Sequence, residues 1–418
     1  MGRWLLGIGV ALCCLIAGLL LVNAGSARQP IRIGILHSLS GTMAISEAAV
    51  KDAALLAVEE INQRGGLLGR PVEALVVDGR SDWGVFAQEA ERLIVEEQVE
   101  VIFGCWTSAC RKTVRPVFER LNHLLIYPVQ YEGLEVSPNI VYTGASPNQQ
   151  IVPAVKWSMD NLGKRFFLVG SDYVFPHTAN AIIRDQVTAL RGEIVGEAYV
   201  PLGSAAVDDI VAQIVASQPD VILNTINGDS NIAFFRALRA AGIAAADIPT
   251  VSFSIAEPEL LTMNLADVVG DYAAWNYFQS VQSPENEAFL ASFRARYGQD
   301  RVVSDPMEAA YFGVYMWAQA VTEAQSPAVH LVREALKDQS FNSPGGIVYV
   351  DAQTQHTWKT VRIGQINADG QFNIVWSSQT PVRPVPYPPS RSQQAWNNFL
   401  DTLYTGWGGN WANPGTGG

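Results

Sequence analysis

From residue 31 onward the chain alternates short β-branched runs with longer stretches whose apolar residues recur every three or four positions. Residues 31–36 and 72–77 read as strands. Between them, residues 44–63 place Ala53, Leu56, Ala57, Glu60 and Ile61 at helical spacing, and Arg64-Gly65-Gly66 stops the helix. Residues 83–96 read as a helix, 99–103 as a strand, and 124–127 as another strand after an intervening helix, with 141–142 closing the block. The pattern then restarts. Strands are expected at 165–169, 194–200, 221–225, 250–253 and 268–275, and helices at 179–190, 207–215 and 231–241. Helices at 307–324 and 329–336 look like a return to the first block. Residues 346–350, 360–365 and 372–376 read as further strands, the last two a hairpin turning at Asp369-Gly370. Strand–helix alternation predicts mainly parallel, doubly wound sheets. Its repetition predicts two α/β lobes facing a cleft.

The most informative stretch is 103–133, FGCWTSACRKTVRPVFERLNHLLIYPVQYEG. Two strands end at Gly104 and Pro128, and both following turns fall at carboxyl ends of neighbouring parallel strands, where open α/β sheets bind ligands. Thr107 and Ser108 offer hydroxyls beside the N–H groups of a helix start. Tyr127 and Gln130 follow the second strand. On the other lobe, Asn227, Gly228 and Asp229 follow the 221–225 strand, and Asp229 is the best candidate to accept ligand N–H groups. Glu257 is a second acceptor, and Met43 and Glu47 can reach the cleft rim. Each has a plainer reading: a helix cap for Ser108 and Asp229, a core aromatic for Tyr127, and a helix start for Glu257, Met43 and Glu47.

The length of 418 residues suits two lobes, and 48% hydrophobic with 16% charged residues is a globular balance. A net charge of −12 argues against nucleic acid or anionic membrane as partner. At the amino terminus Arg3 precedes an apolar run over 4–22 and small residues at 23–27, so residues 1–27 read as a cleaved signal peptide, with an uncleaved anchor as the alternative. Cys13 and Cys14 lack the small residue that should precede a lipidated cysteine. Cys105 and Cys110 read slightly better as buried free thiols than as a bridge. The tail 381–418 carries five prolines by Pro389 and then a short helix at 393–403. Its Trp396, Trp407 and Trp411 are expected to pack on the second lobe.

Enzyme chemistry finds little support. No G-x-S-x-G elbow surrounds a serine, only five His are present, and no metal motif or phosphate-binding glycine loop is seen. Neither a cofactor nor a metal is expected.

The segments GTMAISE (41–47), FGCWTSACRK (103–112), YPVQYEG (127–133), SPNQQ (146–150), GSDYVFP (170–176), TINGDSN (225–231), AAWNYF (273–278), SDPMEAAY (304–311) and DGQFNIVW (369–376) occur in an order that resembles the urea-binding proteins of ABC importers. These stand close to short-chain amide receptors within the branched-chain-amino-acid-binding-like group, and the resemblance spans about residues 31–388. It implies a type I periplasmic-binding-protein fold, with 30–145 plus 275–344 as first lobe and 146–274 plus 345–380 as second. It puts Trp106, Ser108, Tyr127 and Tyr173 in the pocket. It implies urea or a short amide as ligand and an ABC permease as partner, or else a sensor kinase, given the tail and the missing lipidation site. Amino acids stay open as ligands, as does the oligomeric state. The expected mechanism is closure of the lobes about crossings near 144–146, 271–275 and 343–346.

Overall fold

A computed structural model describes residues 29–414; the expected signal segment, 1–27, lies outside the described residues. The first sheet is wholly parallel, in the order β2-β1-β3-β4-β5, built from β1 (Ile31–His37), β2 (Val72–Asp78), β3 (Ile102–Gly104), β4 (Leu125–Tyr127) and β5 (Ile140–Tyr142). The inner strands β3 and β4 read as unbroken apolar runs because they are covered on both faces. Ile31, Ile33 and Ile35 of β1 are all fully buried. The helix Ala44–Gln63 has the bounds expected from its spacing. Helix Trp83–Val95 starts on Asp82, whose carboxylate accepts the Val85 N–H.

The second sheet holds β6 (Arg165–Ser171), β7 (Glu193–Val200), β8 (Val221–Thr225), β9 (Thr250–Ser252), β10 (Tyr272–Trp275), β14 (Arg362–Ile366) and β15 (Phe372–Ser377). Its order is β15-β14-β10-β9-β8-β6-β7, with β14 and β15 antiparallel. Both lobes are thus doubly wound, as expected. The expected strand over 268–275 is shorter, because Leu265–Asp267 forms a 3-10 turn first.

After β10 the chain returns to the first lobe. Helix Asp305–Ala324, started by Pro306 in its first turn, is buried along most of its length there, with Phe312, Met316 and Trp317 among the residues of β1 and β3–β5. The small sheet β11 (Ser340–Ser343), β12 (Gly346–Val350), β13 (Thr357–Trp358) follows. Here the sequence expectation needs correcting. Residues 345–380 were assigned to the second lobe with a crossing near 343–346, yet Val348 and Val350 of β12 pack in the first-lobe core. The Thr357 hydroxyl donates to the carbonyls of Tyr142 and Thr143. The third crossing therefore comes between β13 and β14. The first two lie where expected, after β5 and after β10.

The tail is more ordered than its proline density suggests. Helix Gln393–Gly406 begins on a Ser392 cap and buries Trp396 completely and Leu400 nearly so within the second-lobe core. Trp407 joins them and Trp411 packs alongside, as the sequence predicted for all three tryptophans. Trp396→Ala is expected to cost about 3–5 kcal/mol, the usual penalty for emptying a large aromatic site, seen as a lower guanidinium midpoint. An unchanged midpoint would show the tail to be energetically detached.

Candidate functional site

The turns after β1, β3 and β4 face those after β6, β8 and β9, so the carboxyl ends of both parallel sheets meet, with both switch points inside the contact. The lobes are closed on each other. Ala109 and Leu134 of the first lobe pack within the second-lobe core. Among the described residues, side-chain hydrogen bonds cross the gap at four places. Trp106 Nε1 donates to Asn227 Oδ1 at 3.3 Å, Gln130 Nε2 to the Phe253 carbonyl at 2.9 Å, Ser46 Oγ to Glu259 Oε1 at 2.6 Å, and Thr42 Oγ1 to Asp229 Oδ1. Gly228 makes the last approach feasible. Its φ is +69°, and a Cβ there would lie 3.0 Å from Thr42 Oγ1.

Gly104 ends β3 at φ +149°, where a Cβ would fall 2.0 Å from the Leu36 carbonyl oxygen, so only glycine lets β3 turn beside β1. Thr107 then caps helix Ser108–Arg120 by accepting the Cys110 N–H, which commits a hydroxyl that the sequence offered to a ligand. Ser108 is therefore not the cap, and it is buried like Thr107. Its hydroxyl donates to Glu132 Oε2 and accepts from Arg111 Nη1 at 3.1 Å. Tyr127 is buried with its hydroxyl donating to the Trp106 carbonyl. Gln130 keeps a buried Oε1 without a hydrogen-bond partner. Tyr173, fully enclosed at the end of β6, feels the charges of Glu132 and Arg111, and burial drives its phenol pKa well up.

Trp106, Ser108, Tyr127, Gln130, Tyr173 and Asn227 are thereby gathered at one interlobe seam. Two expected acceptors are placed otherwise. Asp229 is exposed at the rim, where its carboxylate takes the Thr42 hydroxyl and caps no helix N–H; it latches the lobes rather than facing the interior. Glu257 is buried but turned toward the crossing after β10, where Oε1 accepts the Gln279 N–H at 2.7 Å and Oε2 has no hydrogen-bond partner. At the rim, Met43 is a core residue. Glu47, expected at the cleft rim or else in a solvated helix start, is buried and accepts from Ser38 N–H, with His37 Nδ1 at 3.0 Å.

The sequence reading missed Glu132 and Arg111. Both are fully buried. Arg111 reaches Glu132 Oε1 at 3.2 Å and Glu135 Oε1 at 3.0 Å, while its guanidinium lies 4.2 Å from the Tyr131 ring centroid and 4.9 Å from that of Tyr127. Burial alone would raise the Glu135 carboxyl, but Arg111, Lys112 and Arg115 outweigh it and hold it well below the usual range. The available signal was the basic set 111, 112 and 115 on one helix opposite two acids in the next turn.

The cysteines also correct the sequence reading. Cys105 and Cys110 form a disulfide, because the turn folds back to bring their Cα atoms to 6.5 Å, within bridging reach. The closed ring holds Trp106, Thr107 and Ser108. A concavity of about 650 Å³ lined by Asp220, Arg239, Asp247 and Tyr272 lies at the amino-terminal ends of the second-lobe strands, away from this seam.

Residues 31–393 match the periplasmic binding protein domain family, a span taking in both sheets and all three crossings. The chain belongs to that family. This periplasmic binding protein is 22% identical over 343 residues to a Leu/Ile/Val-binding protein homolog 6 of Brucella melitensis, covering 80% of this chain and 87% of that one. A 140-residue stretch is 34% identical to a limonene hydroxylase of Geobacillus stearothermophilus, but spans 32% of this chain and only 26% of that protein's length. Among solved structures, an ABC-transporter solute-binding protein of R. palustris in complex with 4-hydroxybenzoate superimposes with a TM-score of 0.75 at 24% identity, over 83% of this chain and 96% of that one. A branched-chain amino acid transporter substrate-binding protein from Streptococcus pneumoniae, in complex with isoleucine, gives 0.74 at 22%, over 85% and 100%. These structures share the fold.

Two outcomes follow for this periplasmic binding protein. Opening the six-residue disulfide ring by Cys105→Ser with Cys110→Ser should cost about 2 kcal/mol in guanidinium unfolding, the loop-closure value for so short a ring; no loss would mean that the bridge is idle. Burial pushes Glu257 up to about 8 and Glu259 up to about 7 from 4.5. The folded protein therefore keeps protons that the unfolded chain releases. That stability is complete below about pH 4.5 and is lost as pH rises through 7 to 8. Tm should fall over this window, and the Glu257→Gln, Glu259→Gln double variant should flatten the fall in scanning calorimetry. An equally steep fall in the variant would place the titration elsewhere.

Proposed function

We propose that the protein captures urea, or a closely related short-chain amide, between its closed lobes outside the cytoplasm and presents it to an ABC permease. The observation that carries this reading is the commitment of Ser108 to Glu132. At the helix start where a hydroxyl and N–H groups would hold a ligand carboxylate, the hydroxyl is donated to a buried acid instead. Arg111 is already shared among Ser108, Glu132 and Glu135. The two side-chain donors nearest that helix start are thus already engaged with buried acids. Gln130 Oε1 adds a buried acceptor with nothing to accept from, and a buried acceptor left so costs about 1–3 kcal/mol. A neutral planar ligand rich in N–H donors answers that need, with Trp106, Tyr127 and Tyr173 as apolar walls.

Carboxylate ligands are the second reading, since the similar solved proteins hold 4-hydroxybenzoate and isoleucine and Arg111, Lys112 and Arg115 crowd the first-lobe side. Titration calorimetry of the mature protein with urea, acetamide, formamide, leucine and 4-hydroxybenzoate separates the two. Heat is expected with urea or an amide and not with the acids. Binding of leucine or 4-hydroxybenzoate alone would overturn the proposal.

A further inference from the structure

The carboxyl-terminal segment runs from one lobe to the other and ends against a cleft residue. Leaving β15, it passes the first lobe at Gly133 and Leu134, where the Leu134 N–H donates to the Pro386 carbonyl at 2.8 Å. Gly133 sits at φ +73°, and a Cβ there would lie 2.1 Å from that same oxygen, so this contact needs glycine. The segment is then anchored on the second lobe. Arg391 pairs with both oxygens of Asp185 at 2.7 Å, Trp396 is buried, and the Trp407 ring lies 5.0 Å from His177. Its last described residues return to the seam. The Trp411 carbonyl accepts the Val174 N–H at 2.9 Å, Ala412 bridges to Tyr173, and Asn413 N–H donates to the Asp172 carbonyl at 3.1 Å. Tyr173 is therefore bracketed on both sides by pairing to the tail. The half-buried Trp411 ring meanwhile faces Lys112 of the first lobe, with Nζ 5.0 Å from the ring centroid.

We propose that residues 381–413 are a clasp across the lobes, in which Trp411 is a positioning residue that holds Tyr173 in the cleft and ties it to the first lobe through Lys112. The segment touches the first lobe through Arg383 on Asp351 and Gln353 and through Pro386 on Leu134, is fixed to the second lobe from Arg391 onward, and meets the first lobe again at Lys112, so opening the lobes must break the Lys112 contact. A cation over an indole is attracted more strongly the less water screens it, and Lys112 is nearly buried. The contact thus favours the closed form and the Tyr173 placement that a ligand meets. The inference rests on the interlobe cleft of the proposed function and not on which ligand fills it.

The test compares the parent, Trp411→Ala, Trp411→Phe, and a chain ending after Gly409. Each is measured for ligand affinity with the calorimetric panel above and, without ligand, for radius of gyration by X-ray scattering. Trp411→Ala and the shortened chain should still unfold in one cooperative transition but bind about ten-fold more weakly and scatter as more open particles, while Trp411→Phe, which keeps a ring for Lys112, should stay near the parent. Parent-like affinity in Trp411→Ala, or a phenylalanine variant as weak as the alanine one, would overturn the clasp. If the parent binds no member of the panel, the urea-or-amide reading falls, and the scattering comparison still decides: an unchanged radius of gyration in Trp411→Ala and the shortened chain defeats the clasp, and an increased one upholds it.

Discussion

A guanidinium sealed from water organises this molecule. Arg111 has no exposed surface, and moving such a charge out of solvent costs several kcal/mol unless every donor is met. Glu132, Glu135 and Ser108 meet them, and the rings of Tyr127 and Tyr131 cover its faces. The helix after β3 and the turn after β4 consequently form one unit, since shifting either strands a charge. The constraint reaches further. Tyr131 stacks on Tyr142 and His356, and its hydroxyl meets His356 Nε2. Burial pushes the imidazole down to about 4, so the stack carries no charge near neutrality. One network thus fixes the strand-end turns and the segment leading into the third crossing.

The interlobe contacts are of a different kind. Trp106 to Asn227, Gln130 to the Phe253 carbonyl and Ser46 to Glu259 are single hydrogen bonds whose groups regain water when the lobes part. Closure of this sort is near balance, and a ligand needs only a few kcal/mol of preference for the closed form to set the population. A rigid first-lobe platform facing a seam of modest bonds is what a capture-and-release protein requires.

Strands β1, β4 and β8 and the helices Ala44–Gln63 and Val329–Leu336 were legible in the sequence because burial on one or both faces writes a period directly into residue type. That period says nothing of what covers the face. Residues 346–350 were thus readable as a strand and misassigned to a lobe, since only packing shows Val348 among first-lobe residues. The seam was legible at strand ends, where topology puts ligands, and so Trp106, Tyr127, Gln130 and Tyr173 emerge together. Glu132 was not, because an acid in a turn reads as solvated until its partner, 21 positions away on a helix, is known. Asp229 failed in the opposite direction. It looked free, and its partner Thr42 stands 187 residues off.

The interleaved path of the chain sets an order of assembly. Strands β6 to β10 form one continuous stretch, so the parallel core of the second lobe has all its strands once residue 275 has been made. The first lobe has its five strands earlier but not its cover. Helix Asp305–Ala324 and strand β12, whose Phe312, Trp317 and Val350 complete that core, come more than 150 residues after β5. During synthesis the first sheet therefore waits, apolar on one face, while the parallel strands of its neighbour are made, an interval in which exposed strands invite wrong partners. The second lobe waits longer still, since Ile363, Phe372 and Trp396 of its core come after Val350, the last residue of the first-lobe core.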